Sequence, residues 1–165
     1  MDQPDIVRLS ADSPHLDRIA AWQHAEWGHL TPGETPTSRR VGLREECGPA
    51  GVPSVFVALV HDERGRQTPV GTASLVADDM SVRRRLTPWL ASVFVLPEWR
   101  GRGIASCLVR RVEAEVAASG LASCYLFTPD QQALYRRLGW RDHEALDYRG
   151  EAVTIMIRHL GAAPA

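Results

Sequence analysis

Hydrophobic and polar positions along the chain follow two different periods, and the changes of period divide it into predicted strands and helices. Residues 5–10 alternate between polar and apolar side chains, which is typical of a half-buried strand. Short apolar runs bounded by turn-forming residues indicate further strands, and the turn Arg149-Gly150 indicates a final hairpin. The segments predicted as strands are 5–10, 55–60, 70–77, 89–96, 121–127, 140–148 and 151–159.

Four segments have the apolar spacing or the end signals of a helix, namely 13–27, 37–47, 103–119 and 129–138. The third has the clearest apolar stripe, and Gly120 ends it. In the first, Ser13 is expected as the N-cap and Pro14 as the first helical residue. Its predicted buried stripe consists of Leu16, Ile19, Ala20 and Trp27. Trp22 lies about 140° from Trp27 on the helical wheel, so Trp22 is the better candidate for the wall of a site.

The order of these elements predicts the fold class. A strand, two helices, three strands, a helix, a strand, a helix and two strands form a mixed α/β domain around one central sheet. A chain of 165 residues and 18.2 kDa is long enough for one such core. We therefore assign residues 1–160 to a single domain and expect residues 161–165 to be a frayed tail.

Composition and charge exclude several classes of function. The formal net charge is -1, whereas a dedicated nucleic-acid binder needs a surplus of Lys and Arg to neutralise phosphates. No apolar run approaches the length of a membrane span, and the acidic, polar start is unlike a secretory leader. We therefore expect a cytoplasmic protein that binds neither nucleic acid nor a membrane, and a homodimer remains open.

The three cysteines, Cys47, Cys107 and Cys124, are widely spaced and include no CxxC pair. This spacing indicates reduced thiols and no structural metal site. All 19 basic residues are Arg. Neither a P-loop lysine nor a Schiff-base lysine is therefore available.

The candidate chemistry lies where the fourth predicted strand meets the third helix. Gly101 and Gly103 let the backbone approach a ligand, and the first N–H groups of the helix lack internal partners. The helix dipole and the guanidiniums of Arg100 and Arg102 add positive potential, which predicts a site for phosphate or pyrophosphate. The segment is neither a P-loop nor a dinucleotide fingerprint, since Ser106 stands where the third glycine would be. The alternative is a Gly-rich turn with solvent-facing arginines.

The pattern Arg100-x-x-Gly103-x-Ala105, after a strand and at a helix start, resembles the acetyl-CoA pyrophosphate loop of the GCN5-related N-acetyltransferase (GNAT) superfamily. A second stretch, residues 133–140 with Tyr135 ahead of a Gly-aromatic pair, is similar to the last helix of that superfamily. The element order fits as well, so the resemblance covers nearly all of the chain. It implies a mixed, mostly antiparallel sheet of about seven strands, splayed between strands 4 and 5 and flanked by about four helices.

The resemblance implies acetyl-CoA as co-substrate, with no metal, and it implies which residues hold it: Phe94, Val95, Arg100, Gly101, Arg102, Gly103, Ile104, Ala105 and Thr128. Backbone amides of 100–105 would bind the pyrophosphate, and the main chain of Phe94 and Val95 would pair with the pantetheine arm. Thr128 stands where many members carry Asn. Tyr135 is implied as proton donor to the leaving thiolate, because a phenol and a thiol of ordinary pKa exchange a proton almost evenly. The alternative for Tyr135 is a packed ring with a tethered hydroxyl.

The resemblance also implies an amine acceptor, a small molecule or a peptide, near the first two helices and the segment after the third strand. Those parts supply Trp22, His24, Glu26, Trp27, Asp78, Asp79 and Trp89. Aromatic and acidic side chains suit a cationic amine, and ordinary packing with solvated charge is the alternative. The fourth strand lacks the Glu that serves some members as general base. The remaining candidates for the base are His24, Glu26, Asp78 and Asp79, whereas Glu98 is expected to support the phosphate loop.

Two functions follow from these observations. The first is an N-acetyltransferase in which the amine attacks the acetyl thioester directly, with Cys124 as acyl carrier a minor alternative. The second is a catalytically silent module that binds or senses acyl-CoA, which the missing strand carboxylate favours. An RNA-binding domain is disfavoured by the charge balance.

Overall fold

The computed structural model of the chain describes residues 3–161. Its strands are β1 (Asp5–Arg8), β2 (Ser54–His61), β3 (Gln67–Val76), β4 (Trp89–Val95), β5 (Ser123–Thr128), β6 (Arg141–Tyr148) and β7 (Glu151–His159). Its helices are α1 (Leu16–Trp27), α2 (Pro36–Glu46), α3 (Ile104–Ala118) and α4 (Gln132–Arg137), with short 3-10 turns at Gly28–Leu30 and Pro97–Trp99. Of the predicted tail, residues 162–165 lie outside the described residues.

The sheet has the strand order β1-β2-β3-β4-β5-β7-β6. Every neighbouring pair is antiparallel except β4 and β5, which are parallel and share a single register pair, Trp89 with Tyr125. Beyond that pair the two strands separate. The predicted seven-stranded sheet, splayed between its fourth and fifth strands, is therefore confirmed.

A bulge in β4 bends this strand at the splay. Between its pairs Ala91 with Ser74 and Phe94 with Thr72, β4 contains one residue more than β3. Ser92 lies at this point with a φ of 56°, a left-handed conformation that is rare for a residue other than glycine. An extra residue increases local twist and turns a strand away from its neighbour, which accounts for the loss of pairing with β5.

The core occupies both faces of the sheet, because successive residues of β2 point to opposite sides. On one face α3 packs its predicted stripe against β2, β3 and β5. The α3 residues of this cluster are Ile104, Leu108, Val109, Val112 and Val116. On the other face α1 and α2 cover β1 and β2, and the buried residues are Leu9, Leu16, Ile19, Ala20, Leu43, Val55, Val57 and Leu59.

Two predictions about α1 are wrong. The helix begins at Leu16 rather than Pro14, because the Ser13 Oγ accepts from the N–H of His15 at 3.1 Å and closes a separate turn. Trp27 is only half-buried, and the buried residue one turn earlier on that face is Gln23, which is 2% exposed. Helical periodicity gives the angle of a side chain but not the depth of the surface opposite it.

Leu108 provides a test of the packing of α3 on the sheet, since its side chain is fully buried. Leu108→Ala should lower the free energy of unfolding by about 2–5 kcal/mol, because the neighbouring strands cannot close the cavity. Urea unfolding measures the loss. The matched control is Leu121→Ala, at a side chain that is 38% exposed, where a change of about 0.5 kcal/mol is expected. Equal losses in the two variants would contradict this placement of α3.

Candidate functional site

The start of α3 presents backbone N–H groups that no side chain caps. Gly103 is the N-cap residue with a φ of 82°, and Gly101 has a φ of 76°. A Cβ added at either glycine would meet no atom within 4 Å. The glycines are therefore required by the backbone conformation and not by protein packing. Ile104 is buried and anchors the loop to the core, so the first turn can bind an anion through its backbone.

The two arginines of this loop fold back onto the protein. Arg100 donates from Nε to the Val95 carbonyl at 2.9 Å, and its guanidinium lies 5.7 Å from the Phe94 ring centre. Arg102 donates from Nη2 to the Glu98 carbonyl at 3.2 Å and lies 4.6 Å from the Trp99 ring centre. These contacts stiffen the turn and keep two positive charges beside the helix start. Glu98 supports the loop through its main chain.

Phe94 and Thr128 also have partners within the protein. The Phe94 ring lies 5.5 Å from Trp22 and 6.4 Å from Trp27, so both tryptophans of α1 pack on this one residue. Thr128 is 5% exposed, and its Oγ1 accepts from the Gln131 N–H at 3.0 Å at the turn before α4. A ligand in the splay would therefore meet mainly the backbone of these strands.

Tyr135 lies on α4, three residues before its C-cap. The N–H of Trp140 donates to the Tyr135 carbonyl at 2.9 Å, and the N–H of Gly139 donates to Arg136 at 3.0 Å. With a φ of 99° at Gly139, these bonds form a Schellman motif, in which the residues at the two ends of the longer bond commonly touch. The rings of Tyr135 and Trp140 do so, with centres 6.0 Å apart. The Tyr-Gly-Trp spacing seen in the sequence is thus the signature of a helix end.

The Tyr135 phenol is 6% exposed, and its hydroxyl makes no hydrogen bond within residues 3–161. Burial, with a smaller contribution from Asp130, raises the pKa of Tyr135 to about 12. The side chain is therefore protonated at neutral pH. The even proton exchange expected from the sequence assumes that the phenol and the thiol have similar pKa values. At a pKa of about 12, Tyr135 gives up its proton less readily than a thiol in water, whose pKa is near 8.5.

Cys124 is fully buried in the core beneath α3. Burial and the neighbouring Glu113 carboxylate raise the pKa of the thiol to about 12. Since the thiolate is the nucleophilic form, this environment argues against Cys124 as an acyl carrier. It also shows how strongly the interior of this sheet favours a neutral thiol.

Four of the residues predicted for the acceptor differ in how deeply they are buried. Glu26 and Asp78 are exposed. His24 is half-buried, with its Nδ1 at 2.9 Å from the Glu34 Oε2. Trp89 is fully buried, and its indole N–H donates to the Leu86 carbonyl at 2.6 Å. The prediction that Trp89 faces an acceptor is therefore corrected, because its ring supports the sheet from inside the core.

Asp79 stands out among the candidates for a general base. Burial is the largest cause that raises the pKa of its carboxyl to about 8, and the Glu46 carboxylate adds to it against Arg149 and Arg39. Burial also raises the pKa of Glu46, although Arg39 Nη2 donates to both of its oxygens at 2.7 and 3.1 Å. A carboxyl that titrates near neutral pH is suited to proton transfer.

Sequence reasoning missed the residues that surround Asp79. Arg149 donates from Nη1 to the Leu30 carbonyl at 2.9 Å and to the Thr31 Oγ1 at 3.2 Å. It thereby ties the β6–β7 turn to the loop after α1. The one local signal was the Arg149-Gly150 turn, where Arg149 has a φ of 51°. Glu46 had no signal of its own in the sequence, because α2 also contains Arg39, Arg40, Arg44 and Glu45.

Among residues 3–161, no helix is long and apolar enough to cross a membrane. The same residues contain no group of three or more His, Cys, Asp or Glu side chains that could hold a metal ion.

Comparison with known proteins agrees with this geometry. A family model of the acetyltransferase (GNAT) domain matches residues 53–142, more than half of the chain. A search of curated proteins finds no match.

Solved structures share the fold over nearly the whole chain. The crystal structure of aminoglycoside 6'-acetyltransferase type Ii has 20% identity and a TM-score of 0.72, over 97% of this chain and 99% of that one. An aminoglycoside 6'-N-acetyltransferase complexed with coenzyme A has 18% identity and a TM-score of 0.72, over 98% and 99%. A phosphinothricin acetyltransferase from Sinorhizobium meliloti in complex with acetyl-CoA has 23% identity and a TM-score of 0.67, over 97% and 90%.

These structures confirm the fold class predicted from the element order, and the family model confirms the resemblance carried by the loop and by the α4 motif. The chain therefore belongs to the GNAT acetyltransferase family.

Proposed function

We propose that this protein is an N-acetyltransferase that transfers the acetyl group of acetyl-CoA directly to a cationic amine. The observation that carries the proposal is the opening between β4 and β5, with the uncapped start of α3 beside it. Two glycines with positive φ and open space around them fit a pyrophosphate. Two of the similar solved structures contain coenzyme A or acetyl-CoA, which supports the same ligand here.

In the proposed complex, acetyl-CoA supplies an activated thioester. The N–H groups at the start of α3 bind the pyrophosphate, with Arg100 and Arg102 adding positive potential. The backbone of Phe94 and Val95 pairs with the pantetheine arm as a strand would, although the Val95 carbonyl already accepts from Arg100. Thr128 is the last residue of β5 and lies across the opening from β4.

Tyr135 is the proposed proton donor to the departing sulfur. Its pKa of about 12 is far above that of a thiol in water, near 8.5. However, desolvation also raises the pKa of a thiol, and burial together with the Glu113 carboxylate raises that of the Cys124 thiol to about 12. In a cleft that excludes water, the pKa of the departing thiol would therefore lie closer to that of the Tyr135 phenol.

Asp79 is the proposed base that takes a proton from the ammonium before attack. Its carboxyl is partly buried beside Glu46, and these acids would attract a cationic group. The half-buried rings of Trp22 and Trp27 lie on Phe94 and would also suit a cationic group. A catalytically silent acyl-CoA-binding module is the second candidate, favoured by the absence of any carboxylate from β4.

The first test is ligand stabilisation with a pair of glycine variants at opposite ends of α3. Acetyl-CoA at 100 times its Kd should stabilise the protein by about 2.7 kcal/mol, seen as a rise in Tm. Gly103→Val should abolish the rise, because a side chain there obstructs the approach of the ligand. Gly120→Val is the matched control, since Gly120 also has a positive φ and open surroundings. Loss of the shift in both variants, or in neither, would contradict the pyrophosphate assignment.

The second test concerns Tyr135. Tyr135→Phe should lower kcat by about 10²–10⁴-fold, the usual contribution of a general acid, and leave the KM for acetyl-CoA unchanged. Thiol release is measured with spermidine, kanamycin, lysine and a tripeptide with a free N-terminus as acceptors. Because the hydroxyl has no partner within the described chain, the free energy of unfolding should stay within about 0.5 kcal/mol. Full activity in the variant would refute the proton-donor role, and no turnover with any amine would favour the silent module.

The third test concerns the pKa of Asp79. A carboxyl whose pKa is raised to about 8 on folding destabilises the native state progressively as pH rises from its unfolded value, near 3.9, through 8. Asp79→Asn should therefore gain stability relative to wild type between pH 4 and pH 8, as measured by urea unfolding. It should also remove the rise of kcat/KM near pH 8. Asp78→Asn, at the exposed neighbour, should keep the wild-type stability profile, and an identical profile for both variants would count against a buried Asp79.

A further inference from the structure

A buried carboxylate on α3 gathers three donors around the end of α4. Glu113 is 5% exposed, and the other buried residues of α3 are apolar except for Glu115. Its Oε2 accepts from the indole Nε1 of Trp140 at 3.2 Å. Its Oε1 accepts from Arg110 Nη1 at 2.9 Å and from Arg158 Nε at 3.2 Å. Because a buried carboxylate is unfavourable without such donors, these four side chains form one unit.

The guanidiniums of Arg110 and Arg158 also donate hydrogen bonds to the carbonyl groups that follow α4. Arg110 Nη1 donates to the Leu138 carbonyl at 2.9 Å, and Arg158 Nη1 donates to the Gly139 carbonyl at 3.2 Å. A Cβ on Gly139 would lie 2.6 Å from Arg158 Nη1, so this guanidinium rests directly on the glycine. The last carbonyls of a helix have no internal partner, and charged donors are well suited to them.

This anchored segment is the one that determines where the Tyr135 ring lies. The Trp140 N–H bonds to the Tyr135 carbonyl, and the two rings are in contact. Since the Tyr135 hydroxyl has no hydrogen bond within residues 3–161, packing alone orients the phenol. α4 contains only six residues, too few for a helix that is stable without tertiary contacts.

We propose that Glu113 is the positioning residue of Tyr135. It holds the Trp140 indole directly and the end of α4 through Arg110 and Arg158. Because Glu113 is on α3, the helix whose first turn forms the anion loop, one rigid element sets the distance between that loop and the phenol. The inference rests on the proposed function, in which Tyr135 donates a proton.

The test variant is Glu113→Gln, which keeps the shape of the side chain and removes the charge that pairs with both guanidiniums. With the best acceptor of the amine panel, kcat should fall about tenfold, since a displacement near 1 Å can cost about 100-fold. The KM for acetyl-CoA should stay within about twofold, because the loop is untouched. Hydrogen exchange of the 135–140 amides should accelerate about tenfold.

Glu115→Gln is the matched control on the same helix. Glu115 is 6% exposed and equally well paired, but its partners are Arg8, Arg111 and the Gly51 N–H. Its loss should lower Tm, leave kcat within about twofold and leave exchange at 135–140 unchanged. Equal effects of the two variants on kcat and on exchange would overturn a positioning role for Glu113.

A double-mutant cycle separates this inference from the proposed function. If Glu113 acts through Tyr135, then Glu113→Gln changes kcat less than about twofold in the Tyr135→Phe background. If the losses of kcat from Glu113→Gln and Tyr135→Phe multiply in the double variant, the inference is overturned and Tyr135 remains the proposed proton donor. Full activity of Tyr135→Phe alone would refute the donor, and the positioning role with it. If no amine is acetylated, the proposed function fails, and the exchange measurement still decides whether Glu113 holds the end of α4.

Discussion

The single parallel contact between β4 and β5 is the constraint on which the rest of the site depends. A sheet normally satisfies the backbone N–H and C=O groups of each strand with its neighbours. Here the bulge at Ser92 turns β4 away after one register pair, and two facing edges are left in the middle of the sheet. An exposed pair of edges can accept an extended ligand as an added strand. The splay therefore leaves an opening bordered by backbone groups, which is where we propose that the cofactor arm binds.

α3 stabilises this opened sheet, and its first turn and Glu113 both belong to the proposed site. Its apolar stripe packs across β2, β3 and β5 and keeps the two halves together. Its uncapped first turn presents the N–H groups that we propose bind the pyrophosphate, and Glu113 binds Trp140, just after the helix that contains Tyr135. A helix buried along one face cannot shift by a fraction of a turn without opening cavities. The distance between the anion loop and the phenol is consequently fixed by core packing.

The surface around Asp79 and Glu46, which we propose receives the acceptor, follows a different physical rule. Asp79 and Glu46 lie partly buried near each other, and burial disfavours two charged carboxylates more than Arg39 and Arg149 offset it at Asp79. Such a face is poised to change protonation when a cation arrives, because the cation lowers the free energy of the charged form. A carboxyl in such an environment suits the proposed role of Asp79 as the base that deprotonates the amine.

Local signals in the sequence were sufficient for the element order, the apolar stripe of α3, the Gly101-x-Gly103 loop and the spacing of Tyr135 to Gly139-Trp140. Each of these depends on residues within one or two helical turns, where backbone geometry dictates the pattern. Only the tertiary structure decided that Trp89 is buried, that Asp79 lies near Glu46, and that Glu113 binds Trp140 and Arg158, which are 27 and 45 residues away along the chain. Burial, pKa and partner choice depend on elements that meet only when the sheet is assembled, and no local pattern carries that information.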